Sequence, residues 1–157
     1  MINKEAYNLS KEYENVIKEC HLQGFPIKIS ELAKKYSINL HNGDFPKGVS
    51  GQIYKEGENY RIDVNKNDGF KRRRFTAAHE LAHFFLHEDQ IGDGIVDNAM
   101  YRSVLSNSTE VEANKLAADI LMPMAKINEL NGKSIGYLAN YFEVSEQAMR
   151  VRLGIPF

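Results

Sequence analysis

The sequence predicts an α+β fold, mostly helical, with one small β-sheet packed beside a central helix. Three observations carry that prediction. Long stretches repeat apolar residues every three or four positions, one short stretch alternates them every second position, and glycine and proline punctuate the joints. The 157 residues, 43% hydrophobic and 26% charged, suit a single globular domain with an ordinary core. Within it are expected an N-terminal helix over 1–26, a core over 27–123 and short helices over 124–157.

Residues 3–23 place Ala6, Leu9, Tyr13, Val16, Ile17 and Cys20 on one helical face, with a stop at Gly24 and Pro26 just beyond. Ser30 stands where it can cap a short helix over 31–36. Residues 38–51 hold three glycines and a proline and read as irregular chain with one short strand. The segments 52–55 and 60–64 flank Glu56-Gly57-Glu58-Asn59, and Tyr60, Ile62 and Val64 alternate with polar residues, so a β-hairpin is predicted. Residues 71–88 form the most helix-like segment. A loop over 89–108, carrying Gly92 and Gly94, then joins it to a helix over 109–122 and is expected to act as a lid. Thr109 and Glu112 match a capping box at the start of that helix, and Pro123 stops it. Three short helices follow, over 124–130, 134–141 and 145–153.

A net charge of −1 argues against a protein whose main affinity is for nucleic-acid phosphates. Cys20 is the one cysteine, so neither an internal disulfide nor a cysteine-rich metal site is available. The first residues are too polar for a signal peptide. No apolar run reaches the roughly 18–20 residues that span a membrane, so a cytoplasmic location is expected. Any metal site must draw on Asp, Glu and the five histidines.

Two of those histidines stand in His79-Glu80-Leu81-Ala82-His83. Residues at i and i+4 share a helical face, so both imidazoles can reach one ion. Glu80 lies about 100° further round the helix and borders that ion without binding it, where a general base for an activated water belongs. A lone histidine on an apolar helix is usually a satisfied core residue. Here two histidines and a glutamate interrupt a helix otherwise lined by Ala, Leu and Phe. Burying them without partners costs several kcal/mol, and a metal removes that cost.

A catalytic zinc site commonly has three protein ligands and one open position. His87 is two turns beyond His79, too far along a straight helix to share the ion easily, and it reads better as a polar residue near a helix end. The metzincin pattern would place Gly at 86 and His at 89, where Leu86 and Asp89 stand. Glu110 and Glu112, opening the next helix, remain. Glu110 is favoured because Glu112 has a competing task in the capping box, and Glu112 stays open as the alternative. Asn114, one turn beyond Glu110, is a candidate to hold the second nitrogen of a ligating imidazole.

Arg74-Phe-Thr-Ala-Ala-His-Glu-Leu-Ala-His-Phe-Phe-Leu-His87 followed by Glu110-Val-Glu-Ala-Asn-Lys-Leu-Ala-Ala-Asp-Ile-Leu-Met-Pro123 resembles the ImmA/IrrE metallopeptidases. Ile62-Asp-Val-Asn65 fits the strand that precedes the family's zinc helix. The resemblance spans roughly residues 27 to 153, with mild departures at Ala82, where many relatives have Gly, and Leu116, where many have Phe. It implies a zincin-like fold and one Zn2+ ion held by His79, His83 and Glu110, with Glu80 as base and Asn114 in support. It also implies a cytosolic regulator of bacterial or mobile-element origin that cleaves a co-encoded helix-turn-helix repressor and so relieves transcriptional repression. Tyr101, Arg102 and His87 are candidates to stabilise the oxyanion or contact substrate. The strand 60–64 is a candidate to pair with an extended substrate.

A second reading, from another class, is a zinc-bearing module that controls a transcription factor by contact without hydrolysis. Two features invite a nucleic-acid reading and carry a plainer one. Lys71-Arg72-Arg73-Arg74 reads as a solvated helix start, although cations oppose the dipole there, so one arginine should have a specific partner. Residues 134–153 resemble a helix-turn-helix but offer little base-reading chemistry beyond Arg150 and Arg152, so direct nucleic-acid binding is not expected.

Overall fold

A computed structural model of the chain describes residues 4–91, 95–98 and 107–156. It shows the α+β architecture, with seven α-helices and a four-stranded sheet among these residues.

Helix α1 (Lys4–Leu22) ends as its pattern requires, at Gly24 in the left-handed region. Helix α2 (Ile29–Lys34) starts earlier than Ser30 suggested: its N-cap is Lys28, which makes no side-chain cap bond. Ile29, Leu32 and Ala33 share one buried face, and burying all three outweighs a serine cap of about 1 kcal/mol.

Strands β1 (Asn39–Gly43), β2 (Val49–Glu56), β3 (Asn59–Asn65) and β4 (Ile95–Asn98) form a sheet in the order β1-β3-β2-β4. The predicted hairpin is β2–β3. Its turn is shorter than expected, just Gly57 and Glu58, with Glu56 opposite Asn59 and Gly57 at φ +66. The stretch 38–51, expected to be irregular with one short strand, supplies β1 and also the start of β2, and β4 lies where only a loop was expected. Both edge strands are poor in sequence signal. β1 reads Asn-Leu-His-Asn-Gly and owes its regularity to backbone pairing with β3.

β3 is flanked on both sides, parallel to β1 and antiparallel to β2. Its backbone donors and acceptors are therefore taken by its neighbours, and it cannot receive a substrate strand as expected from its alternation alone.

Helix α3 (Phe70–His87) lies across β2 and β3. Ala77, Ala78 and Leu81 join the core with Ile53, Ile62 and Val64 of the sheet. Gly51 sets how closely they approach: a Cβ there would sit 2.7 Å from Thr76 Cγ2 and 2.7 Å from the Asp63 carbonyl oxygen.

Helix α4 (Asn107–Leu121) packs along α3, with Ala113 and Ala117 wholly buried. Thr109 lies inside its first turn rather than at its cap, so the expected capping box with Glu112 does not form. Helix α5 (Met124–Glu129) follows Pro123. Ser134 and Ser145 then cap α6 (Ile135–Phe142) and α7 (Glu146–Leu153), accepting bonds from Tyr137 N and Ala148 N.

The basic cluster at the start of α3 is engaged within the chain. The Arg74 guanidinium donates to the carbonyl oxygens of Ile27 at 2.8 Å, Glu143 at 3.1 Å and Phe142 at 3.2 Å. It thus fills the carbonyl end of α6, where a cation is favourable. Lys71 reaches Asn140, Arg72 pairs with Asp68, and Arg73 meets Asn42. On α7, Arg152 donates to the Met122 carbonyl at 3.0 Å and to Asp119 at 2.6 Å, so it ties α7 to the end of α4. No helix among the described residues is long and apolar enough to cross a membrane.

Candidate metal centre

The i, i+4 spacing does on α3 what helical geometry requires. His79 Nε2 and His83 Nε2 lie 3.0 Å apart, with the rings nearly perpendicular at 89°. Both are deeply buried, 3% and 0% exposed. Glu110 comes in from the first turn of α4, its Oε2 3.2 Å from His79 Nε2 and its Oε1 3.1 Å from His83 Nε2. One donor atom from each of the three lies within 4.8 Å of the others. Glu80, next to His79, is wholly buried.

The electrostatics follow from that crowding. Hydrogen bonds from His79 and then His83 hold the Glu110 carboxyl far below the usual carboxylate range, although burial opposes them. Burial pushes the His83 imidazole below its ordinary value, against its hydrogen bond to Glu110, and the neighbouring His79 and His87 push the same way. Glu110 is thus an anion and His83 is disposed to stay neutral. Two imidazole nitrogens and a carboxylate form the donor set that divalent zinc accepts. The residues fit such an ion.

The structure brings Glu110, not Glu112, to the two histidines. Glu112 is exposed, and its Oε2 meets His87 Nε2 at 3.1 Å. His87 is 4% exposed, and its Nδ1 sits 3.0 Å from His83 Nδ1. Both of its ring nitrogens therefore have partners within the chain. Asn114 is exposed on α4, and the nitrogen behind His83 meets His87. The His83–His87–Glu112 chain was missed in the sequence, although His87 stands at i+4 from His83 and so on the same face. Tyr101 and Arg102 lie outside the described residues, as does most of the 89–108 segment expected to be a lid.

A compact α+β unit in which a His-Glu-x-x-His helix meets a glutamate from the following helix has the architecture of a zincin-like metallopeptidase. A family model for the IrrE N-terminal-like domain matches residues 33–154. The chain is 26% identical over 134 residues to the metallopeptidase ImmA of Bacillus subtilis (strain 168), covering 83% of this chain and 69% of that protein. The solved structure of a Mycobacterium tuberculosis transcriptional regulator superposes with a TM-score of 0.62 at 18% identity, over 94% of this chain. This chain spans only 47% of that longer one, and the likeness is one of fold. The chain belongs to the ImmA/IrrE family of metallopeptidases.

Proposed function

We propose that this protein is a zinc-dependent endopeptidase that cleaves a regulatory protein, its substrate being a co-encoded helix-turn-helix transcriptional repressor. One observation carries the reading: His79 Nε2, His83 Nε2 and the Glu110 carboxylate converge within 4.8 Å of one another. Family membership and the likeness to a protein named metallopeptidase ImmA support it.

His79, His83 and Glu110 would hold one zinc ion. Bound there, zinc would polarise a peptide carbonyl and acidify a water molecule. Glu80 takes the proton of the attacking water on its carboxylate and passes it to the leaving amide nitrogen. Glu80 is wholly buried next to His79 in the chain, which places the base at the metal-facing end of the helix face rather than in bulk water. Ala77, Ala78 and Leu81 anchor the same helix to the core, so the base and the metal-facing nitrogens keep fixed relative positions.

Incubating the protein with the product of the neighbouring repressor gene and weighing the fragments tests the proposal. Glu80→Gln is expected to bind zinc as the unmodified chain does and to cleave roughly 100- to 10,000-fold more slowly. Cleavage at the unmodified rate by that variant would overturn the assigned mechanism. A stable complex of intact repressor with unmodified, zinc-loaded protein would instead establish control by contact.

A further inference from the structure

We propose that His87 and Glu112 are positioning residues for His83, together fixing which of its nitrogens faces the metal and holding its ring in place. The inference rests on the zinc reading above and extends it to two residues outside the ligand set.

The observations form one chain of contacts. His83 Nδ1 lies 3.0 Å from His87 Nδ1, and His87 Nε2 lies 3.1 Å from Glu112 Oε2. His83 is 0% and His87 4% exposed, while the Glu112 side chain is 57% exposed. Two imidazoles thus stand in series between a buried site and a carboxylate at the surface.

Proton accounting gives the chain a direction. A neutral imidazole has one N–H and one lone pair. Holding an ion needs a lone pair at His83 Nε2, the nitrogen that faces Glu110, so with zinc bound its proton must sit on Nδ1. That N–H donates to His87 Nδ1, which must then be a lone pair. The remaining proton of His87 is therefore on Nε2, from which it donates to Glu112. Each contact has one donor and one acceptor. The opposite arrangement would place a proton on His83 Nε2, where the ion belongs, and would set a lone pair of His87 against an anionic oxygen. Glu112 selects the first arrangement from outside the site. The interaction also raises the electron density that His83 offers through Nε2, as partners behind a ligating histidine commonly do.

Alpha-helical geometry explains why one element supplies most of the device. His79, His83 and His87 occupy three successive turns of α3 on one face. His79 and His83 meet through Nε2 atoms, and His83 turns its other nitrogen toward the next histidine along.

The test is zinc affinity of the full chain by chelator competition, with circular dichroism as a check on folding. His87→Leu is expected to weaken zinc roughly 10- to 100-fold. Glu112→Ala is expected to weaken it less, because solvent screens an exposed carboxylate. His87→Gln is expected to recover most of the loss, since its amide oxygen can accept from His83 Nδ1–H while its NH2 donates to Glu112. If His87→Leu does not fold, Glu112→Ala and His87→Gln decide the matter. Unaltered affinity in folded His87→Leu, or in Glu112→Ala where that is the deciding variant, overturns the proposal alone. A loss that His87→Gln leaves unrepaired also overturns it, because His87 would then matter only for packing. An unmodified chain that takes up no zinc overturns the metal reading and this proposal with it.

Discussion

The two ends of α3 both bury polar side chains, and they do so in opposite ways. At the N-terminal end, Arg74 turns its guanidinium to three backbone carbonyls of the α2 approach and the α6 terminus. At the C-terminal end, His79 and His83 turn toward each other and toward Glu110. The first end pairs a donor with acceptors that the backbone leaves open, which is how a protein seals a joint. The second gathers lone-pair-bearing atoms around one point, which is how a protein prepares to receive a cation. Burial alone does not distinguish a brace from a site. The identity of the partners does.

The largest effect should come from the brace. Arg74→Ala leaves three carbonyls without their charged donor and is expected to cost about 3 kcal/mol in urea unfolding, with zinc affinity of the folded protein unchanged. An unchanged unfolding midpoint would erase the contrast between the two ends. Next comes the site. Free zinc at a hundredfold excess over its dissociation constant should stabilise the unmodified chain by about 2.7 kcal/mol. His79→Ala and Glu110→Ala should lose that gain, and a zinc-induced shift that survives Glu110→Ala would send the search for a third ligand elsewhere. The smallest effect belongs to the helices behind the brace. Ser145→Ala removes the bond to Ala148 N and should cost about 1 kcal/mol. Scanning calorimetry with and without zinc would check this, and any change in the zinc-dependent part would show that the two ends are coupled.

Legibility in the sequence followed the origin of each feature. Helices α1, α3, α6 and α7 were readable because one apolar face repeats along each, and Ser134 and Ser145 announce two of their starts. Strand β1 was legible only as one short strand somewhere in 38–51, since its order comes from β3 rather than from its own side chains. The start of α2 was misplaced because the burial of Ile29 prevails over the cap that Ser30 offered. The capping box at Thr109 failed for a similar reason: α4 begins at Asn107, and Glu112 meets His87 instead of its own helix. The expected substrate strand proved to be the one with neighbours on both sides.

The sequence by itself determined that His79 and His83 share one face, with Glu80 beside them, because helical periodicity places residues within one element. It also marked α4 as the source of a third carboxylate. It had no means of ranking Glu110 against Glu112 by distance, nor of finding that His83 leans on His87. Those outcomes depend on how α3 and α4 pack, through Ala113 and Ala117 on one side and the Gly51–Thr76 approach on the other. Relations between elements are set by side-chain volume and close packing across the whole core, and only the tertiary structure decides them.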